Sequence, residues 1–173
     1  MIMKFLRENV YAASLITVLR LYIGWQWLTA GWGKVTEGFS AEGYLFGVVG
    51  NEAVLEQYPR YHTFIEHVAL PNADTFSFMV AWGELLVGLG LLLGVLTTAA
   101  AFFGLMMNLS FLFAGTISSN PWMILLTIFI SVAGANAGRF GGDRYVLPFI
   151  REKLQKNRLG QKSSITSSDK LAS

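Results

Sequence analysis

Apolar residues are concentrated along this chain in four long segments separated by short polar stretches. The segments are residues 11–33, 76–96, 98–116 and 121–138. Each segment is close to the length of about 20 residues that a helix needs to cross the hydrocarbon core of a bilayer. The apolar residues do not alternate with a period of two, so the segments predict helices rather than strands. The pattern therefore predicts an all-α integral membrane protein built as a four-helix bundle.

The polar regions around these helices predict a long loop and a basic tail. Residues 34–75 are acidic but also rich in apolar groups, which predicts short helices lying on the membrane surface. Residues 147–159 predict a basic amphipathic helix suited to an anionic leaflet. The Ser/Lys-rich residues 161–173 predict a disordered end. We therefore divide the chain into a four-helix domain over residues 1–150 and a basic tail over residues 151–173.

The distribution of charge determines the class of protein and its orientation. Hydrophobic residues make up 53% of the chain and charged residues 14%, and no charge occurs between Leu85 and Gly138. This composition excludes a soluble globular enzyme, a disordered chain and a nucleic-acid-binding module. Basic residues flank the first and last segments, so the positive-inside rule predicts two cytoplasmic termini and an outer loop over residues 34–75. A cleaved signal peptide is the alternative for the first segment, but its length and the internal Arg20 argue against cleavage.

Two formal charges lie inside predicted spans, Arg20 in the first and Glu84 in the second. A charge in mid-bilayer costs about 2.5–3.5 kcal/mol on insertion scales, so such residues usually face the protein interior and are paired or functional. Counted from opposite ends of their helices, the two residues lie about 12–13 Å deep at 1.5 Å per residue. We therefore expect an ion pair between Arg20 and Glu84. The pair would be either a catalytic centre or a device that fixes helix register.

Further residues are candidates for a binding site around that pair. Lys34 ends a stripe on the first helix, where it would attract an anion or simply extend to the surface. Asn108 lies level with the pair and would bind either partner or tie two helices together. Trp27 and Trp82 lie close to the same level, where they would stack on a quinone ring or pack in the core.

The absence of several residue types narrows the chemistry. The chain has no cysteine and two histidines, His62 and His67, both within the predicted outer loop. This excludes thiol redox chemistry by the protein and a haem held by two intramembrane histidines, and no metal site is predicted. No dinucleotide-binding fingerprint occurs. By elimination the predicted cofactor is a membrane quinone, for which the protein would supply orientation and electrostatics.

Four motifs follow one another along the predicted helices. They are Arg20-x-x-x-Gly24, Gly31-x-x-Lys34, Glu84-x-x-x-Gly88-x-x-x-x-x-Gly94 and Gly138-Arg139-Phe140-Gly141-Gly142-Asp143. Their order over roughly residues 10–150 resembles the DoxX family, and the long outer loop resembles its DoxD-like branch. The resemblance implies a four-helix protein of the prokaryotic cell membrane. The DoxD-like branch is named for a subunit of a thiosulfate:quinone oxidoreductase that pairs with a second subunit.

The resulting hypothesis is a membrane oxidoreductase subunit that passes electrons from a small, thiosulfate-like reductant to a quinone. Arg20 would bind a quinone oxygen or an anionic reductant, and Glu84 would orient Arg20 and exchange a proton. The alternatives are a scaffold that anchors a soluble redox enzyme and a small transporter that uses the charge pair as a gate. Expected partners are the lipid bilayer and either a second oxidoreductase subunit or a second copy of the chain, with no nucleic acid.

Overall fold

The structure, a computed structural model, describes residues 1–156 of the 173-residue chain. The predicted disordered end and most of the predicted basic tail lie outside the described residues. Within residues 1–156 the chain is helical and contains no strand, which confirms the all-α prediction. The helices are α1 (Ile2–Glu8), α2 (Val10–Glu37), α3 (Glu42–Val49), α4 (Glu52–Gln57), α5 (Pro59–Phe64), α6 (Ala73–Leu93), α7 (Thr97–Phe113) and α8 (Asn120–Ala133). A further helical segment covers residues 143–156.

Helices α2, α6, α7 and α8 pack in a ring. Along this ring α2 contacts α6, α6 contacts α7, α7 contacts α8, and α8 closes on α2. A core of buried apolar side chains fills the centre, with Ile23, Leu91 and Ile130 completely buried. The helix α1 lies against the end of α8, where the Asn136 amide donates to the carbonyls of Leu6 and Asn9.

Local sequence signals explain where these helices begin and end. The Asn9 side chain accepts hydrogen bonds from the backbone amides of Tyr11 and Ala12, which caps the start of α2. Gly94 ends α6 in the left-handed conformation, with φ of 64°. Pro121 lies in the first turn of α8, where its missing N–H would have no partner in any case.

The region between α2 and α6 differs from the predicted loop over residues 34–75. Helix α2 continues to Glu37 and Gly38 ends it, because glycine tolerates the observed φ of 78°. The end of the predicted loop is also helical, since a π turn and a 3₁₀ turn join α5 to α6 in one run, Pro59–Leu93. The connector between α2 and α6 has its own small core, which includes Leu45, Val54 and Ile65.

Within residues 1–156, two helical runs have the length and hydropathy expected of a helix that crosses a membrane. They are Pro59–Leu93 and Asn120–Gly138, while α7 is apolar but shorter, at 17 residues. Large apolar side chains also cover the outward faces of the helices, as Leu86, Phe102 and Phe103 illustrate. Exposed apolar surface on this scale is unfavourable in water and favourable against lipid.

Candidate functional site

The buried carboxylate of Glu84 forms an ion pair with Lys34. The Lys34 Nζ atom lies 2.7 Å from Glu84 Oε2 and donates a hydrogen bond to it. The Glu84 side chain is 3% exposed and the Lys34 side chain is 26% exposed. A buried carboxylate needs such a cation, because an uncompensated charge away from water is costly.

Close packing of α2 against α6 places these two residues side by side. A Cβ atom added to Gly31 would collide with the backbone of Leu85, and one added to Gly88 would collide with the backbone of Leu28. A Cβ atom on Gly24 would lie 3.0 Å from the backbone amide nitrogen of Leu92. Residues later in α2 contact residues earlier in α6, so the two helices are antiparallel. Gly31 lies against the peptide bond between Glu84 and Leu85.

The predicted ion pair between Arg20 and Glu84 is wrong. Arg20 lies eleven residues before Gly31 on α2, which is about 16 Å along the helix axis from the level of Glu84. The depth estimate failed because it counted both helices from the ends of their apolar segments. Helix α2 extends only four residues beyond Gly33, and the glycine contacts place Gly31 beside the Glu84–Leu85 peptide, so the two apolar segments are offset along the bundle axis.

Arg20 lies instead at the opposite end of the bundle, where segments 94–97 and 138–143 meet. Its guanidinium contacts Gly94 and Gly141 closely enough that a Cβ atom at either glycine would collide with it. Asp143 provides the neighbouring negative charge. The Arg20 side chain is 2% exposed, and its Nε and Nη1 atoms have no hydrogen-bond partner within residues 1–156.

Asp143 ties together the two segments that enclose Arg20. Its carboxylate accepts hydrogen bonds from the backbone amides of Leu96, at 2.6 Å, and Thr97, at 3.0 Å. These are free amides at the start of α7, which an acidic group stabilises. Leu96 adopts a left-handed φ of 51°, which this contact holds in place. Asp143 belongs to the Gly138–Asp143 motif, but nothing in the local sequence predicted that it would face Arg20.

The Lys34–Glu84 pair lies in the wall of a cavity of about 370 Å³. Three of the predicted binding residues, Trp27, Lys34 and Asn108, line this cavity together with Glu84. Sequence reasoning missed several other residues that line the cavity. They include Gln26, Ala30, Phe39, Tyr44, Asn120 and Met123. The only signal for part of this set was the polar turn before Pro121, which brings Ser118, Ser119 and Asn120 to the same wall.

Unpartnered polar atoms lie beside the cavity. Asn108 is completely buried, and neither its amide nitrogen nor its amide oxygen has a hydrogen-bond partner in the described part of the chain. The Trp27 Nε1 atom and the Thr127 hydroxyl are also buried without a hydrogen-bond partner among residues 1–156. Thr127 lies one helical turn from Met123, which lines the cavity. Buried polar atoms without partners are rare, so this cluster indicates a place for a polar ligand or ordered water.

Residues of the connector line the end of the cavity next to α3. The Tyr44 hydroxyl lies 2.9 Å from the Thr116 hydroxyl and joins α3 to the turn between α7 and α8. The Lys34 ammonium lies 5.4 Å from the centre of the Phe39 ring. The Tyr61 hydroxyl donates to the Ser110 carbonyl at 2.8 Å, and burial, with a smaller contribution from Tyr44, raises the pKa of Tyr61 to about 12.

Trp82 does not join the cavity, in contrast to its predicted place in the site. Its side chain is 42% exposed and its ring packs against Phe78, with 5.9 Å between the ring centres. It lies on α6 two residues before Glu84, and a separation of two places side chains on different faces of a helix. Trp82 therefore belongs to the apolar outer surface of the bundle.

The apolar exterior, the two long apolar runs and the buried charges define a helical protein of membrane type. The DoxX family profile matches residues 15–116, and the chain belongs to the DoxX family. Proteins of this family are typically membrane-associated. Comparison with curated proteins and with solved structures gives no match.

Proposed function

We propose that α2, α6, α7 and α8 cross the cell membrane as a four-helix bundle, with both termini in the cytoplasm. Family membership and the apolar outer faces of these helices support this topology. Lys4 and Arg7 on α1, and Arg144 and Arg151 on segment 143–156, lie at the Arg20 end of the bundle, as the positive-inside rule requires. The connector with α3, α4 and α5 then lies on the outer side.

We propose further that the cavity binds the headgroup of a membrane quinone. The observation that carries this proposal is a cavity of about 370 Å³ whose wall combines an ion pair with a completely buried, unpartnered Asn108. A volume of this size suits a single six-membered ring with short substituents. A quinone ring presents two carbonyl acceptors, which match the Asn108 amide, the Trp27 indole N–H and the Lys34 ammonium as donors.

Each of these residues has a role that its own chemistry defines. Asn108 carries both a donor and an acceptor, so it can bind either a carbonyl or a hydroxyl group. Lys34 places its ammonium beside the ring and beside the Glu84 carboxylate, which can accept and release a proton. Arg20 has no part in binding, since it lies at the other end of α2. It stabilises the fold around Asp143.

The proposed activity is oxidoreduction with a small sulfur anion as the electron donor. Two thiosulfate-like anions that join through a new S–S bond release two electrons, which a bound quinone takes up together with two protons. The end of the cavity beside Tyr44 and Thr116 provides the route from the outer side, and Lys34 supplies the positive charge that attracts an anion. A second oxidoreductase subunit on the connector is part of this proposal.

The test begins with protein purified in mild detergent, from which lipids are extracted and examined for quinone. Quenching of tryptophan fluorescence then measures the affinity for an added benzoquinone, and turnover is followed with thiosulfate. Asn108→Leu should weaken quinone binding about tenfold because it removes a polar partner of the ring, and Glu84→Gln should do the same because it removes the charge that holds Lys34 beside the ring. The control is Glu56→Gln, an exposed carboxylate of the connector, which should bind like the wild type.

Two outcomes would overturn the proposal. Absence of both co-purified quinone and measurable affinity would remove the quinone site. Co-purification of a stoichiometric soluble enzyme in that case would favour a scaffold, and flux of a solute in liposomes would favour a transporter. Equal affinity in wild type and Asn108→Leu would place any quinone elsewhere on the protein.

A further inference from the structure

One face of α2 is covered by neighbouring side chains near Arg20 but is uncovered at the level of the cavity. Ile16, Ile23 and Ala30 are seven residues apart, so they lie on nearly the same face of the helix. Ile16 and Ile23 are buried in the core, whereas Ala30 is exposed even though it lines the cavity. The neighbours that cover this face near Arg20 are therefore missing at the level of the cavity.

The uncovered part of this face lies between α2 and α8. Gln26 and Ala30 line the cavity from α2, where Gln26 is half-buried and Ala30 is exposed. Asn120 and Met123 line the cavity from α8. The cavity therefore reaches the exposed Ala30 on the side where α2 neighbours α8, which forms a side opening in addition to the end beside the connector.

We propose that this side opening passes the hydrocarbon tail of the quinone, so that the ligand is a lipid-tailed quinone that enters from the bilayer. The inference rests on the proposed quinone site and adds its access route. A tail remains in the lipid while the ring reaches Asn108 and the Lys34–Glu84 pair, since burying hydrocarbon away from water is favourable and burying polar groups needs partners. The two ligands would then use different openings. The quinone enters through the side opening, and the soluble anionic reductant enters at the end beside the connector.

Ala30 is the residue that tests this route, because its small side chain leaves the opening free. Ala30→Phe fills the opening without adding volume to the core, since the position is exposed. The matched control is Ala99→Phe, an exposed alanine on α7 that does not line the cavity. Thermal unfolding of all three proteins checks that the folds are equally stable.

The measurement compares two probes, a decyl-substituted dimethoxybenzoquinone and the same ring without the decyl chain. Affinities come from tryptophan quenching at one fixed detergent concentration, so partition of the probe into micelles is the same for every variant. Ala30→Phe should weaken binding of the decyl quinone about tenfold or more, and binding of the tail-less ring by about twofold at most, because the polar partners are unchanged. Ala99→Phe should change neither.

Equal effects of Ala30→Phe on both probes would overturn the tail route and leave the proposed quinone site intact. Unchanged binding of the decyl quinone in Ala30→Phe would overturn it as well. If neither probe binds wild type, the proposed function itself fails, which is a different result from either of these. Weaker decyl binding in Ala99→Phe would show that the effect does not depend on the opening.

Discussion

The two ends of the helix bundle use buried charge in opposite ways. At the Arg20 end, the guanidinium lies against the backbone of Gly94 and Gly141 with Asp143 as a neighbouring negative charge, and two of its nitrogen atoms have no hydrogen-bond partner within residues 1–156. At the Glu84 end, the ion pair with Lys34 lies in the wall of a cavity that contains unpartnered polar atoms. Under the function proposed above, a formal charge inside an apolar helix has a structural role at one end and a binding role at the other. What separates them is the packing around the charge.

The Asp143→Asn substitution tests the closed end and should have the largest effect. It leaves the buried Arg20 without a compensating charge and weakens the capping of α7, so we expect a loss of about 3–5 kcal/mol in the free energy of unfolding. Unfolding by SDS in mixed micelles measures this change. Glu152→Gln, an exposed carboxylate on the same helical segment, is the control and should change stability by less than about 0.5 kcal/mol. Equal stability of the two variants would refute the structural role of Asp143.

The glycine contacts that set the helix register provide a second test. Gly31→Ala places a methyl group against the backbone of Leu85, so the helices must separate, and we expect a loss of about 1–3 kcal/mol. Gly33→Ala is the matched control two residues away, where a methyl group meets open space. Gly33→Ala should stabilise the helix by up to about 1 kcal/mol, because alanine has a higher helix propensity than glycine. The register is wrong if both alanines have the same effect.

The connector should respond to pH through Tyr61. Because burial raises the pKa of Tyr61 from 10.0 to about 12, its neutral phenol stabilises the fold below pH 10, and this contribution is lost as the pH rises through about 12. The phenolate absorbance of the folded protein should show a late phase near pH 12 that disappears in Tyr61→Phe. The same variant should lose about 1 kcal/mol at neutral pH with its hydrogen bond to Ser110. Tyr11→Phe, which removes an exposed phenol, should keep the late phase.

The sequence predicted the helices well because their signals are local. Helices α2, α6, α7 and α8 start within three residues of the predicted segments and end within five residues of them. The chemical character of the site was also predictable in part, since a buried Glu84 requires a cation and Lys34 was the other basic residue of the first helix. DoxX membership, expected from four motifs, is confirmed over residues 15–116.

The partner of each charge could not be predicted, because it depends on contacts between distant segments. Asp143 lies 123 positions after Arg20, and no periodicity connects them. The register of α2 against α6 depends on which glycines meet backbone, which becomes visible only when both helices are packed. The exposure of Trp82 has the same origin, since the face of α6 that it occupies was unknown until the neighbouring helices were placed.

The central claim is that the two ends carry separate charge clusters, with Glu84 paired to Lys34 and Arg20 remote from it. Two double-mutant cycles measure this directly through the free energy of unfolding in mixed micelles. The cycle of Lys34→Met with Glu84→Gln should give a coupling of about 1–3 kcal/mol, and the cycle of Arg20→Met with Glu84→Gln should give additivity within about 0.5 kcal/mol. Strong coupling of Arg20 to Glu84, with Lys34 independent of both, would contradict the account.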